Sequence, residues 1–238
     1  MPGFNISSES LISRDEFLRG VPLSMTSESS VTREAAIFHY TDWTDVHNRT
    51  NNRDSLGSLV GDQMFNCPVL DFAQRYSKGG GKTFLYSFDH RSSRNPWPEW
   101  MGVMHAYEIE FVFGVPLNTS LGYTKYEVNM TKKFMKHWAN FARTGNPEID
   151  GATWPLFTSE QQEYITLNYH HPVQRRMMRV TECQLWNKIL PQIQKNSDEL
   201  LSCLNASGIV LRSNYSILII SLVMLNYWLS FENCYFLG

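Results

Sequence analysis

The stretch N-P-W-P-E-W-M-G-V-M-H-A-Y-E-I-E-F-V-F-G-V-P, residues 95–116, decides how the chain is read. It sets one histidine, His105, behind Pro96, Trp97, Pro98 and Trp100 and ahead of Glu108 and Glu110. Imidazole titrates near neutrality and can take and return a proton. A loop stiffened by proline and walled by aromatic rings is a place to hold such a group away from bulk water. By spacing alone, His105 reads more readily as loop filler than as a catalytic group. The apolar run 109–113 that follows reads as buried, and periodicity leaves 107–113 open between a strand and a short helix.

Upstream, Ser13 to Glu16 has capping-box spacing and opens a short helix through Leu18, closed by Gly20. A second helix is expected over 32–39. Residues 53–76 carry a longer amphipathic pattern, with Leu56, Leu59, Val60, Met64, Cys67, Leu70 and Phe72 on its apolar side and Pro68 splitting it. Gly79-Gly80-Gly81 ends that pattern, and 82–88 (K-T-F-L-Y-S-F) reads as a buried strand. The G-G-G-K-T tract is not a phosphate loop. Its first motif glycine is replaced by Tyr76, and it runs into a strand where phosphate binding needs a helix N-terminus.

Downstream, 124–144 is the best helix in the chain, with Val128, Phe134, Met135, Trp138, Phe141 and Ala142 on one side, stopped by Gly145 and Pro147. A late strand is expected over 163–167 and a final helix over 177–190. No internal repeat is visible.

The 238 residues, 42% hydrophobic and 18% charged, suit a globular core. A net charge of -2 gives no electrostatic footprint for nucleic acid. The first ten residues have no basic region followed by an apolar core, so they are not a signal peptide. Residues 215–231 are uncharged and apolar, a membrane-type segment near the short end of spanning length.

The run W-P-E-W-M-G-V-M-H-A-Y-E-I-E-F-V-F-G closely resembles the cholinesterases of the type-B carboxylesterase family. The likeness continues through M-K-H-W-A-N-F-A-R-T-G-N-P, W-P-L-F, Y-I-T-L-N and C-Q-L-W-N. It also runs back through Y-T-D-W, N-R-D, V-G-D and N-C-P to P-G-F-N, covering roughly residues 2–191. It implies an α/β fold: the C-terminal part of an α/β-hydrolase, an incomplete sheet with flanking helices. It also implies that His105 is the histidine of a Ser–Glu–His triad, in a fold whose triad runs nucleophile, acid, histidine along the chain. No G-x-S-x-G elbow occurs in this sequence. The resemblance places the acid a short distance before the P-G-F segment, so the chain alone is expected to be inactive.

The same resemblance implies that Trp97, Met104 and Tyr107 line the site that receives choline's quaternary ammonium, ordinary packing being the alternative for each. Glu108 matches a buried glutamate that supports the histidine and is not the triad acid. Ala106 stands where the cholinesterases usually have glycine; a positive φ there would add strain of about 1 kcal/mol. Cys67 and Cys183 match an intrachain disulfide, with two free thiols as the alternative, and Cys203 matches a cysteine that joins two subunits of a homodimer. The implied substrate is a choline ester, with no cofactor and no metal.

Sequons begin at Asn5, Asn48, Asn118, Asn129, Asn205 and Asn214. They suit an extracellular glycoprotein whose signal peptide is missing from this chain. The tail resembles a glycosylphosphatidylinositol signal, with Asn205 opening the attachment triplet, a spacer, and the apolar end. A retained membrane anchor is the rival. The expected organisation is a catalytic-domain part over 1–191, a linker with the attachment region over 192–214, and the hydrophobic signal or anchor over 215–238. A catalytically silent cholinesterase-like adhesion protein is the competing reading of the whole.

Overall fold

Side-chain caps mark where three of the described α-helices start. In the computed structural model, which describes residues 6–25, 29–149, 153–168 and 173–206, Ser13 caps α1 (Arg14–Ser24) in a full capping box with Glu16. The helix does not stop at Gly20. That residue is buried inside it, where a Cβ would lie 2.7 Å from a Leu56 methyl. Gly20 therefore serves close packing of α1 on the helix that carries Leu56 and not chain termination. α2 (Ser30–Tyr40) follows, and Asn48 caps α3 (Arg49–Gly61) by accepting from the Asn51 N–H at 3.0 Å.

The long pattern 53–76 is split as expected, by an unexpected device. A five-residue π turn, Asp62–Asn66, joins α3 to α4 (Cys67–Lys78). Pro68 sits in the first turn of α4, where its missing N–H costs no helical bond. The widened turn changes which side chains face inward. Leu56, Leu59, Cys67 and Leu70 are buried, but Met64 and Phe72 are 58% and 68% exposed, contrary to the sequence expectation.

The sheet is short. β1 (Tyr86–Phe88) pairs in parallel with β2 (Glu163–Leu167), and β2 pairs antiparallel with β3 (Val173–Arg176). β2 matches the expected strand, whereas only the last three residues of the expected 82–88 strand are paired. Alternation puts Ile165 and Leu167 with Tyr86 and Phe88 on one face, against Met130 and Phe134 of α6 (Lys125–Thr144). Leu85 faces the other way, toward Leu70 and Ala73 of α4. Both faces are thus covered, as a parallel pair requires. A third cluster, away from the sheet, joins Phe17, Ala36, Leu59 and Leu190 from four helices.

α6 opens on a capping box of Thr124 and Glu127 and closes on Gly145 at φ 73°. Its buried residues are Glu127, Met130, Thr131, Phe134 and His137. Met135 and Phe141, expected inside, are 37% and 48% exposed. The expected final helix starts later and runs further: α7 (Val180–Gln184), a π turn (Leu185–Ile189) and α8 (Leu190–Ala206). α8 therefore continues through much of the stretch read as linker.

Cys67 and Cys183 form the disulfide, with Cα atoms 5.0 Å apart and a separation of 116 positions in sequence. Asp62, fully buried, accepts from Tyr40 at 2.8 Å and from Arg179 Nε at 2.8 Å, a second tie between the π turn and the start of α7. The Arg179 pKa is raised by the bond to Asp62. No described helix is long and apolar enough to cross a membrane. The apolar segment 215–231 lies outside the described residues.

Candidate active site

The loop between β1 and α5 (Ile109–Val112) carries His105, and its anchors explain why it holds one shape. At its root, the Asp89 N–H donates to Leu167 O at 3.0 Å, prolonging the sheet. Next, Glu127, 1% exposed on α6, receives the Ser93 N–H at 2.6 Å and the Ser93 hydroxyl. The same carboxylate accepts the Thr124 N–H at 2.9 Å, and His90 Nε2 lies 3.2 Å from it. Burial pushes the Glu127 carboxyl up, but bonds from Ser93 and Thr124 outweigh this and hold its pKa at about 2. Further along, Arg91 donates to Trp97 O at 2.6 Å, and Asn95 Oδ1 accepts the Trp97 N–H at 2.9 Å.

The expected long turn over 90–102 is therefore present, ending in a 3-10 turn, Glu99–Met101, and Gly102 at φ 59°. His105 follows on a turn of its own and is exposed. Its ring stacks on Phe65 of the π turn, centroids 4.5 Å apart and planes at 30°. Nothing in the sequence linked those two residues, which lie forty positions apart. The widened helical turn, absent from any hydrophobic pattern, is what presents Phe65. Ala106 takes φ 71°, so the position where the resemblance led to glycine is the left-handed one, and alanine carries the strain.

Trp97, Met104, Tyr107 and Glu108 are all half-buried in this loop and its exit. Chain adjacency brings Met104, Tyr107 and Glu108 to His105. The Tyr86 hydroxyl on β1 is pushed up to about 12 by burial first and by the nearby Glu108 carboxylate second. The ambiguous run 107–113 resolves as a single helical turn, α5, in which Phe111 is fully buried. Ile109 and Phe113 are 50% and 78% exposed, so the run is not the buried one its composition suggested. Glu110 accepts from Tyr123 at 2.7 Å, while its other oxygen is buried without a hydrogen-bond partner.

Glu127 was missed by the sequence reading, although Thr124-x-x-Glu127 is capping-box spacing and could have flagged it. Asn118 and Asn129 are exposed and Asn48 is half-buried. Asn5 lies outside the described residues, as does the Asn205 side chain.

A parallel strand pair covered on both faces, followed by an anchored loop that offers an exposed histidine, fits the late part of a hydrolase sheet. Residues 4–186 match the carboxylesterase family, and the chain belongs to that family. Its similar relatives are acetylcholinesterases. That of Bungarus fasciatus is 45% identical over 204 residues, covering 84% of this chain and 34% of the relative. That of Gallus gallus is 45% identical over 195 residues, covering 81% of this chain and 25% of the relative. That of Danio rerio is 38% identical over 236 residues, covering 84% of this chain and 37% of the relative. The chain therefore spans between 25% and 37% of the length of these curated relatives.

Proposed function

We propose that this chain supplies the histidine of a serine ester hydrolase acting on choline esters. His105 takes the proton of a serine hydroxyl as that oxygen attacks the ester carbonyl, and then gives the proton to the departing choline oxygen. Water repeats the exchange, losing its proton to His105 as it attacks the acyl-enzyme; His105 returns that proton to the serine oxygen as the acyl–serine bond breaks and the carboxylic acid leaves. The serine and the carboxylate that orients the imidazole belong to the part of the relatives that this chain does not span. The observation that carries the reading is the exposed imidazole at the tip of a loop tied down at Asp89, Ser93 and Trp97. Such anchoring is what a general base requires, since misplacement by about 1 Å can cost about a hundredfold in rate.

Trp97, Met104 and Tyr107 line the choline side of this site, their apolar and aromatic surfaces facing the quaternary ammonium, and Glu108 steadies the turn. Two copies joined through Cys203, glycans at Asn5, Asn48, Asn118 and Asn129, and a lipid at Asn205 complete an extracellular, membrane-anchored protein.

The test is hydrolysis of acetylthiocholine by the chain alone, and by the chain joined to the preceding two thirds of the Bungarus fasciatus enzyme. We expect no turnover in the first case and turnover in the second, with His105→Ala lowering kcat by about a thousandfold or more. Activity of the joined protein that survives His105→Ala, in material that circular dichroism shows to be folded, would overturn the reading. A native upstream sequence in which the serine is replaced would favour the silent adhesion protein.

A further inference from the structure

Residues 6–13, just before α1, form no helix or strand, yet their carbonyls are claimed one after another by side chains from distant elements. Trp100, in the 3-10 turn five residues before His105, donates its indole N–H to Ser8 O at 3.0 Å. Arg53 of α3 donates Nη1 to Glu9 O at 2.6 Å, and Arg49 donates to Leu11 O at 3.1 Å. Arg53 does more than bond. Its guanidinium carbon lies 4.5 Å over the Trp100 ring, and its Nε meets Asp54 at 2.7 Å. The Arg53 side chain is only 12% exposed.

One planar cation thus stacks on the loop that leads to His105 while its edge holds the backbone beside Ser8. A lysine could supply the charge but not both contacts, because an ammonium has no flat face to stack. Trp100 closes the triangle by bonding the neighbouring carbonyl. We infer that Arg53 and Trp100 are a positioning pair, clasping the Ser8–Glu9 backbone to the His105 loop so that the two move as one piece. The inference rests on the ester-hydrolase reading for its purpose. In this fold the carboxylate that orients the histidine comes before it in the chain, and Ser8–Glu9 is where sequence arriving from that side meets the loop. Fixing that junction fixes the approach of the earlier chain to the imidazole.

The first arm of the test is amide hydrogen exchange on the 238-residue chain and its Arg53→Met, Arg53→Lys and Trp100→Phe variants. In Arg53→Met and Trp100→Phe, segments 8–12 and 97–105 should together exchange about tenfold faster, the equivalent of one lost hydrogen bond. The centre of α6 should be unchanged, Arg53→Lys should fall between, and the double variant should be no worse than either single one. If only one segment loosens, or the two changes add, there is no clasp. The second arm uses the joined protein described above. Arg53→Met should lower kcat about tenfold with KM within twofold, and shift the acid limb of the kcat/KM profile, with Arg53→Lys restoring part of the loss. Loosened segments with kcat and pH profile intact would show a merely structural contact and overturn the positioning role. Absence of any activity in the joined wild type would count against the esterase reading instead, and the exchange arm would still decide the clasp.

Discussion

Replacing Glu127 with glutamine removes the carboxylate that fastens the His105 loop to α6. The wild-type group receives the backbone N–H groups of Ser93 and Thr124 at 2.6 and 2.9 Å and both of their hydroxyls. A glutamine amide offers one acceptor oxygen and turns two N–H donors toward groups that already donate. At least one buried N–H is then left facing a donor. Hydrogen bonds to a charged group are worth about 1.5–3 kcal/mol each, and partial relaxation recovers some of that. We expect Glu127→Gln to lower the unfolding free energy by about 3 kcal/mol at pH 7. The pH dependence gives an independent check. The folded pKa of about 2 lies below the ordinary 4.5. A depressed carboxyl stabilises the fold fully above its unfolded pKa and loses that effect as the pH falls through the folded one. The drop corresponds to about 3 kcal/mol, the same order as the hydrogen-bond reckoning. Urea unfolding of wild type and variant should therefore differ most above about pH 5 and converge steadily toward pH 2. A difference that stays flat from pH 7 to pH 3, or one below about 0.5 kcal/mol at neutrality, would refute this account of the loop.

Arg179→Met should cost about 3–5 kcal/mol in urea unfolding, because it takes the cationic partner from the fully buried Asp62 carboxylate; a loss below about 1 kcal/mol would mean that Tyr40 and Asn66, whose side-chain amide donates to Asp62 at 2.9 Å, satisfy it alone. Reducing the Cys67–Cys183 bond, or replacing Cys67 with serine, should cost about 4–5 kcal/mol for a loop of 116 residues, read from the denaturant midpoint with and without reductant. Ala106→Gly should gain about 0.5–1 kcal/mol, since φ 71° is strained for alanine and free for glycine; a destabilised variant would contradict that.

Local chemistry was legible where neighbours in sequence are the partners. The capping box at Ser13, the stop at Gly145 and the strand at 163–167 all depend on spacing, and all stand where the sequence placed them. Gly20 and Met64 misled for the opposite reason. A glycine looks the same whether it ends a helix or lets Leu56 approach, and a π turn shifts every inward-facing position after it without leaving a mark in hydrophobic periodicity.

The amino-acid sequence by itself carried the family likeness, the candidate base at His105 and the cysteine pair, because each rests on residue identity within a recognisable motif. Only the tertiary structure decided what holds that base in place. Glu127 beneath Ser93, Arg53 over Trp100 and Phe65 against the imidazole ring are pairs separated by 34, 47 and 40 positions. Packing and electrostatics act through space, so contacts of that kind exist only once the chain has folded.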